Sequence, residues 1–183
     1  MVTSAETKIV AGFNRFFRER GIDGVAYRIR QHRFAPQVVD LLVDSRHWRY
    51  YLAMEVKSIS LEKGTRSLYF SQHFHQARKG EENQVGRISD FLRLSGRIGF
   101  LAVEMRRGVG RPLECHLVPW RAVETRFRQG QSGFRVEELM AFPQVPQAGR
   151  DYAFTEEFLA EAVEGPGAAP APVVQVREVR VVS

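Results

Sequence analysis

Two acidic side chains sit inside the most apolar stretches of this chain, and their placement constrains what it can fold into. Asp40 lies within Val38-Val39-Asp40-Leu41-Leu42-Val43-Asp44, and Glu55 within Tyr50-Tyr51-Leu52-Ala53-Met54-Glu55-Val56-Lys57. Both runs read as strands, and the link Ser45-Arg46-His47-Trp48-Arg49 is short enough to predict an antiparallel hairpin. Strand side chains alternate between faces, so Glu55 and Lys57 point the same way, and the hairpin can bring Asp40 beside them. Two carboxylates about 4 Å apart repel by roughly 4 kcal/mol at an effective dielectric of about 20, a large share of a domain's net stability. A divalent cation reverses that sign. Magnesium favours one or two carboxylates together with water and substrate phosphate, and such ions polarise a phosphate and activate water for in-line attack. Lys57 supplies a cation that can orient the water or stabilise a charged transition state. An ordinary salt bridge from Asp40 or Glu55 to Lys57 is the alternative that spacing leaves open.

The flanking sequence predicts the rest of an α/β fold. Residues 4–20 place Ile9, Val10, Phe13, Phe16 and Phe17 at three- and four-residue steps, a helix ended by Gly21. Thr3-Ser4-Ala5-Glu6 matches a capping box at its start. Residues 25–30 read as a strand. Residues 58–80 read as a long, partly mobile, functional loop around the apolar island Leu68-Tyr69-Phe70. A helix over 82–95 buries Val85, Ile88, Phe91 and Leu92. The near-continuous apolar run Ile98–Met105 predicts a strand covered on both faces. Leu113–Val118 reads as its neighbour, and 119–128 and 152–162 as helices. The order predicts helices packed around a central mixed sheet. Three regions are expected: 1–128 as the principal domain, 129–163 as an extension, and 164–183 as a Pro/Ala-rich linker and tail whose Val173–Val182 alternates like a strand.

Charge points to a polyanion. The chain of 183 residues carries a formal +6, and residues 156–183 alone carry −3, leaving +9 on the remainder. Arg28, Arg30, His32 and Arg33 lie just upstream of Asp40 and are expected to contact DNA phosphates. Lys63, Arg66, Arg78 and Lys79 would extend that track along the loop. His73 and His75 have no evident partners for a zinc site. The single cysteine, Cys115, excludes an intrachain disulfide framework and a cysteine-rich zinc site, which fits a reducing, cytoplasmic setting. No apolar run approaches 18 residues, so no membrane span is expected.

Two further residues stand at the edge of the core. Glu6 lies one turn before Ile9 and Val10, where an acid needs a partner: a cap, a metal or Lys57. Gln84 lies one turn before Ile88, as a surface amide or as part of the site.

The chain resembles the PD-(D/E)XK nuclease superfamily, and within it the archaeal-type (Hjc-like) Holliday junction resolvases, from about Ser4 to Trp120. The resemblance rests on Ser4-Ala5-Glu6, Val39-Asp40-Leu41 and Met54-Glu55-Val56-Lys57-Ser58. The segment Gln84–Val103, with Gly96 and Phe100, also resembles the RecU-type resolvases. The resemblance implies a restriction-endonuclease-like fold, and a homodimer that cuts branched DNA with Mg2+, or Mn2+ in its place; Tyr69 and Phe70 would then wedge into the junction or pack on the dimer mate. It also implies Asp40, Glu55, the Val56 carbonyl and Glu6 as metal ligands, with Lys57 and Gln84 completing the catalytic set. The acidic strand has Val39-Asp40 where the superfamily has Pro-Asp.

Overall fold

The computed structural model describes residues 4–29, 38–77, 82–149 and 151–165. The expected roles of Arg30, His32, Arg33, Arg78, Lys79 and the Val173–Val182 tail lie outside those residues.

Helix α1 (Ala5–Arg20) starts at Ser4, whose side chain accepts from the Thr7 N–H, and stops at Gly21, which takes the left-handed φ of 62°. The cap thus falls one residue later than the predicted box, with Thr7 rather than Glu6 at the third helical position. Strands β1 (Gly24–Arg28), β2 (Leu41–Ser45) and β3 (Leu52–Ser60) form an antiparallel meander. The hairpin link folds as a 3-10 turn over Trp48–Tyr50. Asp40 sits immediately before β2 rather than within it, although its N–H still donates to the Met54 carbonyl at 3.1 Å.

Among the described residues after β3, regular elements stand where a long loop is expected. The chain turns through Leu61–Gly64 into β4 (Ser67–Tyr69) and the short helix α2 (Phe70–His73), burying Leu68, Phe70 and Phe74. Helix α3 (Gln84–Ser95) follows, capped by Asn83. β5 (Ile98–Arg106) then pairs parallel to β3 over nine residues, and β6 (Glu114–Pro119) pairs antiparallel to β5. The five-stranded sheet has the order β1-β2-β3-β5-β6, the central mixed sheet flanked by helices that the sequence predicts.

Helix α4 (Trp120–Arg128) leads to β7 (Gly133–Arg135), which pairs antiparallel with β4, and to α5 (Val136–Leu139). Gly133 has φ 152°, and a Cβ there would collide with the Leu68 carbonyl, so β7 approaches β4 as closely as it does because this residue is glycine. Arg126 then forks onto both oxygens of Glu138 at 2.9 Å each. The segment after β3 is clamped by these contacts from residues 133–138, which were not legible as partners of Leu68-Tyr69-Phe70. Phe70 is buried and unavailable as a wedge, whereas Tyr69 is exposed.

A hairpin of β8 (Gln147–Ala148) and β9 (Asp151–Tyr152) and the helix α6 (Glu156–Glu164) close the described chain. Thr155 caps α6, which delays its start beyond the predicted Tyr152. One sheet face packs on α1 and α6 through Phe13, Phe16, Met54, Phe100, Leu117 and Phe158. The other packs on α2 to α5 through Leu42, Ala53, Leu101, Val103, Ile88 and Trp120. Odd-numbered residues of β3 face α3, which aims Glu55 and Lys57 at that helix. Among the described residues no helix is long and apolar enough to cross a membrane.

Candidate active site

The β2–β3 register pairs Leu42 with Ala53 and ends at Leu41 with Met54; the preceding residue, Asp40, donates its N–H to the Met54 carbonyl, which sets it beside Glu55. Asp40 Oδ2 accepts the Val56 amide at 2.7 Å, which fixes its carboxyl against the strand carrying Glu55. Glu55 is 3% exposed. Its Oε1 accepts from Lys57 Nζ at 2.6 Å and from Gln84 Nε2 at 2.8 Å. Gln84 sits in the first turn of α3, and its Oε1 accepts the His75 amide at 3.0 Å while its own amide donates to the His75 carbonyl at 3.0 Å. The ammonium of Lys57 also lies 5.1 Å from the centroid of the Phe74 ring.

Electrostatics mark this pair of acids. Burial lifts the Glu55 carboxyl to about 7; the Asp40 charge pushes the same way, against the pull of Lys57 and Gln84. Asp40 is also raised, first by burial and then by the Glu6 charge, while the Val56 amide, Lys57 and Arg28 oppose the rise. A buried glutamate on β3 and a half-buried aspartate at the entrance to β2, each held above its ordinary range, form a donor set that a hard divalent cation would neutralise. The residues fit such an ion.

Glu6 reaches the site through its charge on Asp40. Among the described residues no three His, Cys, Asp or Glu side chains group tightly enough to hold a metal, so the fitting set is two carboxylates and backbone rather than three carboxylates. Arg28 ends β1, exposed, with its guanidinium 3.4 Å from Thr7 Oγ1 and its charge felt at Asp40. Lys63 and Arg66 are exposed beyond the end of β3. Asp44, which shares a strand face with Asp40, is taken up by Arg97 at 2.7 Å and the Tyr27 hydroxyl at 2.7 Å. Glu104, which is buried, is paired with Arg106 at 3.0 Å.

Sequence reasoning missed two residues near the acids. Phe74 reads as one more apolar residue in a polar stretch, and His75 contributes through its backbone, to which side-chain identity gives no clue.

No family model matches the chain, and no curated protein matches it. Among solved structures it is similar to that of Archaeoglobus fulgidus Hjc, a Holliday junction resolvase from an archaeal hyperthermophile. Identity is 15%, coverage is 87% of this chain and 99% of that one, and the TM-score is 0.48.

Proposed function

We propose that this chain is a structure-selective DNA endonuclease that resolves four-way (Holliday) junctions by Mg2+-dependent phosphodiester hydrolysis, with Mn2+ able to substitute. The observation that carries the reading is the pairing of Asp40, half-buried with its carboxyl on the Val56 amide, and the buried Glu55, both held above their ordinary carboxyl range, with Lys57 alongside.

Asp40, Glu55 and the Val56 carbonyl would hold the cation, which when bound polarises the scissile phosphate and activates water. Asp40 is pre-oriented by the Val56 amide, so its carboxylate needs no reordering when substrate arrives. Gln84 fixes the rotamer of Glu55. The Lys57 ammonium faces the developing negative charge on the phosphate. Glu6 adds negative potential at Asp40. Arg28, with Arg30, His32 and Arg33 next along the chain, would engage flanking phosphates, and Lys63, Arg66, Arg78 and Lys79 would extend the contact. Backbone charge and junction shape, rather than base edges, would select the substrate. A homodimer would place two such sites about a twofold axis and cut two strands symmetrically, leaving 5′-phosphate and 3′-hydroxyl ends. A role on cellular DNA places the protein in the cytoplasm.

The test is cleavage of four substrates side by side: a four-way junction, a nicked duplex, a flap and a linear duplex, with Mg2+ and with chelator. The proposal expects paired incisions in the junction alone. Equal cutting of linear duplex leaves a superfamily nuclease of another kind, and salt-sensitive binding with no cutting leaves a DNA-binding module.

A further inference from the structure

Lysine carries its charge on a flexible four-carbon stem, so an ammonium that must meet a phosphate at one point needs more than one restraint. Glu55 Oε1 supplies one, at 2.6 Å from Lys57 Nζ. The same oxygen also receives Gln84 Nε2, and Glu55 is a proposed ligand of a cation that would draw on its charge. A second restraint that does not compete for the cation is already in place. The Phe74 ring stands with its centroid 5.1 Å from Lys57 Nζ, within the roughly 6 Å over which an aromatic face attracts an ammonium.

That ring is itself immobilised. Phe74 is buried, edge-on to Phe70 at 5.8 Å and to Trp120 at 6.1 Å between centroids. Its amide closes α2 onto the Phe70 carbonyl at 3.0 Å, and Gln76 Nε2 donates to the carbonyls of both Phe70 (3.0 Å) and Phe74 (2.9 Å). The Phe70 amide in turn donates to the Ser132 carbonyl at 2.8 Å. The small β4–β7 sheet and α2 therefore end in an aromatic face presented to the half-buried Lys57.

We infer that Phe74 is a positioning residue for Lys57: its ring face seats the ammonium independently of Glu55, and the β4–α2–β7 clamp exists in part to hold that ring. The inference rests on the nuclease reading of the site.

The test replaces Phe74 alone with 4-fluoro-, 3,5-difluoro- and 3,4,5-trifluorophenylalanine, which weaken the ring face stepwise while nearly preserving shape, and adds Phe74→Leu. Junction cleavage is followed as kcat and KM, and the Lys57 ε-methylene protons are followed by NMR. Expected are a graded loss of kcat reaching about tenfold at the trifluoro ring and an unchanged KM. An upfield ring-current shift of the Lys57 ε-protons should also be present in the parent and absent in Phe74→Leu. A flat kcat across the series, a change confined to KM, or unshifted ε-protons in the parent each overturns the inference while an active parent leaves the nuclease reading standing. A parent that cuts no DNA overturns the nuclease reading, and with it the role assigned to Phe74.

Discussion

Asp40 Oδ2 accepts the amide proton of Val56 at 2.7 Å, the residue that follows Glu55 on β3. Asparagine at position 40 keeps an oxygen acceptor for that amide while losing the charge. Asp40→Asn is therefore expected to fold as the parent does, to bind junction DNA, and to lose about a thousandfold in cleavage rate, the scale of several kcal/mol of charge stabilisation. Circular dichroism, gel-shift and single-turnover cleavage together check this; cleavage at parental rate would remove Asp40 from the site.

Glu55 titrates at about 7 because it is buried beside Asp40. The folded protein therefore binds this proton more tightly than the unfolded chain, whose glutamate has an ordinary value near 4.5. Stability without metal is then unaffected by Glu55 below about pH 4.5, falls as pH rises through the window to 7, and carries the full penalty above it, on the order of 3 kcal/mol. Glu55→Gln removes that penalty. Urea melts in chelator should show the variant more stable than the parent at pH 8 and equal to it at pH 4.5. A variant less stable than the parent at pH 8 would contradict the assigned burial.

Glu104 is buried on the face opposite the site, with Oε1 on Arg106 Nε and Oε2 accepting the Tyr152 hydroxyl at 3.0 Å. This bond ties β9, far along the chain, to the centre of the sheet. Tyr152→Phe leaves a buried carboxylate oxygen without that donor and is expected to cost roughly 1–3 kcal/mol. Chemical denaturation measures the loss. Junction cleavage by the folded variant should remain within about twofold of the parent, because Tyr152 belongs to the other face.

Arg28 is exposed at the end of β1 with its charge reaching Asp40. If it contacts one phosphate, Arg28→Ala should lower the slope of log K against log salt by about 0.9 and weaken junction binding similarly for any sequence. Fluorescence anisotropy across a salt series reads the slope; an unchanged slope would take Arg28 off the phosphate track.

Much of this arrangement is legible in the chain itself. The hairpin, the facing of Glu55 and Lys57, and the buried β5 follow from strand alternation and apolar runs, which are local signals. The acids stand out because their runs are otherwise apolar. Leu68-Tyr69-Phe70 illustrates the opposite case. Three residues in a polar stretch carry no period, and what orders them is Gly133-Phe134-Arg135, about 65 positions away. Phe74 was illegible for the same reason: its significance lies in what stands over its ring. Glu6 shows a one-residue failure, since Thr3 and Ser4 are both good caps and the choice between them decides whether Glu6 or Thr7 stands at the third helical position.

The account depends on Asp40 and Glu55 sharing a divalent cation, and calorimetric titration of Mn2+ into the metal-free protein near pH 7 tests this directly. The expected result is one Mn2+ per chain, with proton release visible as a dependence of the heat on buffer because Glu55 is about half protonated there, and loss of binding in both Asp40→Asn and Glu55→Gln. Absence of binding in the parent, or equal binding in all three proteins, would contradict it.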